Sequence, residues 1–178
     1  MTFSNVTFAL DLSLSSPGFA ILAVTPEGLP IVLETSHVKT KASKSHGYRL
    51  GEISEEIDRY ITTYQPEHIV REKGFSRFAA TTQALFKVVG VSDLYAHMRM
   101  GKVISEIPVT TVKKAVTGSG KADKTEVADA VFRILQIENT DDYHTTVGGK
   151  PSLNDDVTDA MAVGLAYMYD HKLIGKGR

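Results

Sequence analysis

Three consecutive pieces of the N-terminal sequence decide the fold: Val6-Thr-Phe-Ala-Leu-Asp-Leu-Ser13, Leu14-Ser-Ser-Pro17 and Gly18-Phe-Ala-Ile-Leu-Ala-Val24. Two short apolar runs separated by a turn predict a pair of antiparallel strands. A third run, Pro30–Ser36, extends the pair to a three-stranded meander. Asp11 is inside the first strand, where a lone carboxylate is costly to remove from water unless a cation or a hydrogen-bond donor compensates it.

Helical and strand patterns alternate over the rest of the chain. Apolar residues at helical spacing predict a helix that contains Leu50, Ile53, Ile57 and Ile61 and ends at Gln65-Pro66. The later patterns predict a strand at His68–Glu72 and a helix from about Arg77 to Met100. The apolar residues near one stripe of that helix are Phe78, Leu85, Val88, Val89 and Tyr95. A strand at Val103–Ile107, a helix from Pro108 to Lys114, a helix opened by a capping box of Asp123 and Glu126, and a last helix capped by Asn154 or Asp155 follow.

This element order predicts one α/β domain over residues 1–178. Three antiparallel strands followed by alternating helices and strands make a mixed five-stranded sheet covered by helices on both faces. The segment Glu138–Ser152 is polar and contains glycine, so it is predicted to be a mobile loop.

Composition excludes several kinds of protein. The chain has 178 residues, 42% of them hydrophobic, which suits one well-packed domain. It has no cysteine, so disulfides, thiolate zinc sites and a cysteine nucleophile are excluded, and a metal ion would need oxygen or imidazole ligands. The sequence shows no signal peptide and no apolar run of membrane-spanning length, so we expect a cytoplasmic protein.

The charges are segregated along the chain although the net charge is only -1. From Arg99 to Lys124 there are six basic residues against two acids, and from Glu138 to Asp159 there are six acids against one lysine. A basic face beside an acidic pocket suits a protein that holds phosphates around cations. An uneven solvated surface would give the same pattern.

Four carboxylates in three segments form a candidate metal centre. Asp11 and Glu72 each end an apolar run, and they converge if the first and fourth strands are neighbours. Asp156 and Asp159 share one face of the last helix, and Asp155 is rotated off that face. Four carboxylates could hold two Mg²⁺ ions, with Mn²⁺ as a substitute, about 4 Å apart.

Each acid also has a purely structural interpretation. The three aspartates could stabilise the dipole of an exposed helix N-terminus, Glu72 could pair with Arg71 or Lys73, and Asp11 could cap the following turn.

Four sequence motifs, in order, resemble those of the RuvC family of Holliday-junction resolvases, which have the RNase H-like fold. The first places Asp11 seven residues before Gly18, and the second is Ile69-Val-Arg-Glu-Lys-Gly-Phe75. The third, Val112 to Val127, resembles the family's Lys-containing Gly-x-Gly segment. The fourth, Asn154-Asp-Asp-Val-Thr-Asp-Ala160, is similar to its terminal Asp-x-x-Asp-Ala helix.

The resemblance implies a role for each residue in the motifs. Asp11, Glu72, Asp156 and Asp159 would be the metal ligands and catalytic carboxylates. Phe75 would stack on bases at the crossover, although a core position would also suit it. The lysines would contact DNA, with Lys113 and Lys124 near the scissile phosphate and the others, Lys114 and Lys121, on the same basic segment.

The resemblance also implies an activity and an assembly. The expected activity is hydrolysis of a four-way DNA junction by metal-activated water. Because the junction has near two-fold symmetry, a homodimer would make symmetric nicks. The helix from Arg77 to Met100 is the candidate interface, and the alternative is that its apolar stripe only covers its own sheet. Another RNase H-like nuclease acting on flaps or RNA, and a branched-DNA binding protein that does not cut, are the alternatives.

Two departures from the family pattern are typical of a phage-encoded relative that would act in the host cytoplasm. Leu12-Ser13 replaces a Pro-Gly pair, and the segment Glu138–Ser152 is longer than usual. These departures leave the cleavage sequence, the dependence on RuvA and RuvB, and the choice between Asp155 and Asp156 as ligand open.

Overall fold

A computed structural model of the protein describes residues 2–74, 78–147 and 150–175. Five strands form one sheet in the order β3-β2-β1-β4-β5: β1 (Ser4–Asp11), β2 (Gly18–Val24), β3 (Pro30–His37), β4 (His68–Glu72) and β5 (Ser105–Ile107). The first three strands are antiparallel, and β4 and β5 run parallel to β1. The predicted mixed five-stranded sheet is therefore confirmed, and so is the pairing of the first and fourth strands.

Five helices cover both faces of the sheet, as predicted: α1 (His46–Tyr64), α2 (Ala79–Met100), α3 (Val109–Thr117), α4 (Lys124–Ile134) and α5 (Asp155–Asp170). Side chains alternate between the two faces of each strand, so Phe8 and Leu10 pack towards α1 and α2 while Ala9 packs towards α5. Each fully buried aliphatic side chain contributes about 1.5 to 3 kcal/mol to folding.

Helix α5 lies unusually close to the sheet and positions the acids at its N-terminus. Residues Val157 to Met168 are buried with the exception of Asp159. Gly164 permits this approach, because a Cβ atom there would lie 2.6 Å from Cδ1 of Leu22. The sheet and α5 therefore form one packed unit on which a site can be held in place.

The helix ends follow local sequence signals. Asp123 and Glu126 form the predicted capping box at the start of α4, with reciprocal side-chain to backbone hydrogen bonds. Helix α1 ends at Gln65, which has a left-handed conformation (φ 46°), immediately before Pro66. Asn154 precedes α5 at the predicted position, but its side chain makes no capping bond to that helix.

The prediction of a loop over residues 138–152 is wrong. The segment contains a 3₁₀ turn, Asp141–Tyr143, and an antiparallel hairpin of β6 (His144–Val147) and β7 (Lys150–Leu153). The β-branched run Thr145-Thr-Val147 favours a strand, and Gly148-Gly149 is a hairpin-turn dipeptide by sequence. The polar composition hid both signals.

The predicted apolar stripe of α2 is wrong in part. Phe78 precedes the helix and is 74% exposed, and the side chains buried against the rest of the domain are Val88, Ser92 and Ala96. Arg77, the predicted start, lies outside the described residues. Within the part of the chain that the structure describes, no helix is both long and apolar enough to cross a bilayer.

Candidate active site

Asp11 and Glu72 lie side by side at one end of the sheet. Strands β1 and β4 are parallel, and Leu10 pairs with Arg71, so the next residue of each strand reaches the same edge. Asp11 has the same side-chain direction as Ala9, and Glu72 the same as Val70, and both of those residues belong to the core beneath α5. The two carboxylates therefore project from one face towards α5.

The N-terminus of α5 brings further acids to this edge. Gly18, which pairs with Asp11 across β1 and β2, has room only for hydrogen because a Cβ atom would lie 1.8 Å from the carbonyl oxygen of Asp156. Ser16, in the turn between the strands, donates a 2.6 Å hydrogen bond to Oδ2 of Asp156. Asp159 is one turn further along the same helix face.

Burial and mutual repulsion raise the pKa values of three of these carboxylates. Burial, reinforced by the charges of Asp159, Glu72 and Asp156, raises the pKa of Asp11 to about 8. Burial and the charge of Asp159 raise the pKa of Glu72. Burial also raises the pKa of Asp159, against the opposing effect of Lys124. This edge of the sheet therefore carries more negative charge than its neighbours balance, which is the condition a bound cation would relieve.

Two of the predicted lysines lie next to the acids. The Nζ atom of Lys124 lies 3.0 Å from Asp155 and 3.5 Å from Asp159. Burial would lower the pKa of Lys124, but the hydrogen bond to Asp155 and the two carboxylate charges raise it above its usual value. Lys113 donates a 2.6 Å hydrogen bond to the carbonyl of Ala122, and its charge opposes the rise in the pKa of Glu72.

The other two predicted lysines make no ion pair with the described acids. Both of them, Lys114 and Lys121, are exposed. Phe75 lies outside the described residues.

The structural alternative for Glu72 is wrong as far as Arg71 is concerned. Arg71 points to the opposite face of the sheet, where its buried guanidinium pairs with Asp93 and Glu106. Because Glu72 faces α5 instead, its charge adds to those of Asp11, Asp156 and Asp159. These four carboxylates at one end of the sheet are called here the acidic edge.

The donor chemistry of the edge fits a hard divalent cation. All the ligands on offer are carboxylate oxygens, which suit Mg²⁺ or Mn²⁺ and not Zn²⁺. Among the described residues, no three acidic or histidine side chains surround a single point closely enough to hold an ion as they stand. Asp156 is instead hydrogen-bonded to Ser16, and Asp159 is paired with Lys124. An ion bound by these two side chains would compete with their present contacts.

Sequence reasoning missed three contacts. Ser16 holds Asp156, Lys124 pairs with Asp155, whose role as a ligand the sequence left open, and the Asn154 side chain lies 2.9 Å from Nδ1 of His37. All three contacts join residues at least 31 positions apart. The only local signal was the cluster Ser13, Ser15 and Ser16 next to Asp11, and it is equally typical of an ordinary turn.

A five-stranded mixed sheet that presents carboxylates from β1, β4 and the final helix at one edge defines the class of RNase H-like nucleases. The family model of the crossover junction endodeoxyribonuclease RuvC matches residues 8–167. The chain therefore belongs to the RuvC family, which consists of metal-dependent nucleases.

Curated relatives match almost end to end. The RuvC protein of Synechococcus sp. (strain CC9311) is 31% identical over 91% of this chain and 97% of its own length. The RuvC protein of Mycolicibacterium vanbaalenii is 30% identical over 94% of this chain and 80% of its own length. Both are described as crossover junction endodeoxyribonucleases.

Solved structures share the fold. The structure described as T. thermophilus RuvC in complex with Holliday junction substrate has a TM-score of 0.80 at 22% identity, covering 94% of this chain and 95% of that one. The yeast mitochondrial Holliday junction resolvase Ydc2 has a TM-score of 0.69 at 10% identity, covering 97% and 82%.

Proposed function

We propose that this protein is a structure-selective endonuclease that resolves Holliday junctions and other branched DNA by metal-dependent hydrolysis of phosphodiester bonds. The observation that carries the proposal is the meeting of Asp11, Glu72 and Asp159 at one edge of an RNase H-like sheet, in a chain that belongs to the RuvC family. Relatives about 31% identical are named for cleavage at crossover junctions, which supports branched DNA as the substrate. We also propose that the enzyme acts in the cytoplasm, the location expected from the sequence.

The four carboxylates, Asp11, Glu72, Asp156 and Asp159, would hold two divalent ions. When bound, Mg²⁺ or Mn²⁺ supplies water activation and neutralises charge at the scissile phosphate. The backbone positions of Asp11 and Glu72 are fixed by the sheet, so these two carboxylates would determine where the ions bind. Asp156 and Asp159, which contact Ser16 and Lys124 in this structure, would complete the ligand set from α5. No covalent enzyme intermediate is involved, and the products carry 3′-hydroxyl and 5′-phosphate ends.

Lys124 and Lys113 act on the phosphate from the side of α3 and α4. Lys124, which pairs with Asp159 in this structure, would contact a phosphate oxygen of the bound DNA. Lys113 is held by the carbonyl of Ala122, close enough to Glu72 to influence its charge. A cation fixed beside the reacting phosphate stabilises the negative charge that develops in the transition state.

We also propose that the active form is a homodimer built on α2. The face of α2 directed away from the domain carries Phe86, Leu94 and Met98, which are 58%, 52% and 68% exposed. Leu94 is two turns after Phe86, with Gly90 between them, and Met98 is one turn after Leu94. The opposite face is buried by Val88 and Ala96. A helix that is apolar on both faces needs a second partner. A four-way junction has near two-fold symmetry, so a second copy of the chain is the partner that gives two equivalent sites.

Incubation of a labelled four-way junction with and without Mg²⁺ or Mn²⁺ tests substrate and chemistry together. Paired nicks that depend on the metal are expected, with linear duplex resistant. Preferential cleavage of a flap or of RNA would instead support another RNase H-like nuclease. Tight junction binding with no nicking in either metal would make the protein a branched-DNA binding protein.

The role of the two lysines is tested by single-turnover cleavage of a saturating junction. Lys113→Ala and Lys124→Ala are expected to slow the reaction on the order of 100-fold, the usual effect of removing one group that stabilises transition-state charge. Lys172→Ala, just beyond the C-terminal end of α5, is the matched control. Equal rates in all three variants would make both lysines solvated surface residues.

The dimer is tested by placing a charge on the exposed face of α2. Leu94→Glu is expected to sediment as a monomer and to leave nicked circles from a cruciform plasmid, whereas the wild type gives linear product. Leu29→Glu is the matched control, because Leu29 is 48% exposed on the turn between β2 and β3. A wild type that is monomeric on the junction and still makes paired cuts would contradict this assembly.

A further inference from the structure

The connection between β3 and α1 is strongly basic. Residues 35–51 contain Lys39, Lys41, Lys44 and Arg49 and no acid. The three lysines are exposed, and none forms an ion pair with a described acidic side chain. Lys87 of α2 reaches the same surface, with its Nζ atom 2.9 Å from Nδ1 of His46 in α1. This surface, called here the β3–α1 basic surface, is separate from the basic segment that contains Lys113 and Lys124.

The β3–α1 basic surface is hydrogen-bonded to the β1–β2 turn, whose Ser16 contacts Asp156 of the site. The backbone NH groups of Val38 and Thr40 donate to the carbonyls of Pro17 and Ser15. Arg49 is buried and donates to the carbonyl of Leu14 at 3.1 Å and to Oγ1 of Thr40 at 2.9 Å. Residues 38–40 therefore lie alongside residues 14–17, so the backbone that carries Lys39 and Lys41 has a defined position.

That position is next to the acidic edge. Asp11, Gly18 and His37 form one row across β1, β2 and β3. With strands about 4.8 Å apart, the Cα atom of His37 is about 10 Å from that of Asp11. Lys39 is two residues further, which adds at most about 7 Å. This distance corresponds to a few nucleotides, because the axial rise along one strand is 3.4 Å per nucleotide.

The two basic surfaces lie on opposite sides of the acidic edge. Helices α3 and α4 follow β5 at one end of the strand order, whereas the β3–α1 connection leaves β3 at the other end. A DNA strand that passes over Asp11 therefore meets positive charge on both sides.

We infer that the β3–α1 basic surface is a second DNA-contact site, at which Lys39 and Lys41 bind backbone phosphates of the duplex arm that leads away from the scissile bond. The inference rests on the proposed function, since it supposes that DNA crosses the acidic edge. Lys44, whose Nζ atom lies 5.2 Å from the ring centroid of Tyr48, and Lys87 extend the same surface. Contacts of this kind fix the register of the duplex and carry no sequence information.

The test compares two double variants with the same loss of charge. Lys39→Gln/Lys41→Gln removes the centre of the surface, and Lys102→Gln/Lys172→Gln removes two lysines at the opposite end of the sheet. Binding of a labelled four-way junction and of a linear duplex is measured by fluorescence anisotropy in EDTA over a series of salt concentrations. The slope of log K against log salt counts the phosphates that the protein neutralises.

The first variant is expected to bind both DNAs roughly tenfold more weakly and to lower the salt slope by about 1.8, which is about 0.9 for each lost phosphate contact. The control is expected to keep the wild-type slope. Equal slopes and affinities in the two double variants would overturn the inference. Cleavage of the junction by the wild type in Mg²⁺ is measured separately and tests the proposed function. Binding to the linear duplex tests the basic surface whether or not junctions are cut, so the two ideas can fail independently.

Discussion

Replacing Asp11 by asparagine should make the metal-free protein more stable while abolishing cleavage. Partial removal from water, reinforced by the charges of Asp159, Glu72 and Asp156, raises the pKa of Asp11 from 3.8 to about 8. An acid whose pKa is raised by folding destabilises the folded state above its unfolded pKa, because the unfolded chain releases the proton more easily. The destabilisation is absent below pH 3.8, grows as the pH rises and is complete above pH 8.

The magnitude follows from the two pKa values. At pH 7 the difference amounts to about 4 kcal/mol, an upper limit that asparagine will not fully recover, because its amide also needs hydrogen-bond partners. We expect a gain of about 2 kcal/mol, which raises the Tm by roughly 4 to 8 °C in a domain of this size. At pH 4.5 the same calculation leaves only about 1 kcal/mol.

Thermal unfolding in EDTA at pH 7 and pH 4.5 measures this effect. Asp129→Asn, an exposed position on α4, provides the same chemical change away from the acidic edge and should leave the Tm unchanged. Mg²⁺ should raise the Tm of the wild type and not that of Asp11→Asn, and junction binding should persist in the variant without cleavage. A variant that is less stable than the wild type in EDTA at pH 7, or a gain that does not shrink at pH 4.5, would refute the reasoning.

Three further substitutions test the framework around the site. Gly18→Ala should cost about 3 kcal/mol or more in urea unfolding, since the new methyl group meets the backbone of α5, whereas Gly51→Ala, with open space around it in α1, should stabilise by about 0.5 to 1 kcal/mol. Arg71→Met should cost about 1 to 2 kcal/mol, because both of its acidic partners are partly exposed and can rehydrate; a cost above 4 kcal/mol would mean that they stay buried. Asp123→Ala should lower stability by about 1 kcal/mol through loss of the capping box, and an unchanged Tm would show that the α4 N-terminus has another support.

The elements that the sequence predicts well are those set by local chemistry. The strand His68–Glu72 and the capping box at Asp123 agree residue for residue, since an apolar run and a reciprocal pair of hydrogen bonds involve only neighbouring residues. The hairpin β6–β7 was not predicted, because its polar residues resemble those of a loop when only hydrophobic periodicity is considered.

The acids of the site were predictable, whereas their partners were not. Asp11 and Glu72 stand out in sequence because a charge at the end of an apolar run needs compensation. The pairing of Lys124 with Asp155 depends on how α4 packs against α5, and the hydrogen bond from Ser16 to Asp156 depends on the approach that Gly18 permits. The direction of Arg71, away from Glu72, follows from strand pleating once the register is known.

The attachment of the β1–β2 turn to α5 also fixes how long that turn can be. Ser16 and Gly18 both contact Asp156, so residues 12–17 must cover a set distance between Asp11 and the helix. If one residue added or removed there shifted the register of β2, the side chains that pack on the two buried faces of this strand would change places. The turn at residues 25–29 is largely exposed, and its hydrogen bonds join residues of the turn itself. An epitope tag or fluorescent label would therefore be tolerated at residues 25–29, and even a single inserted residue in the β1–β2 turn would not.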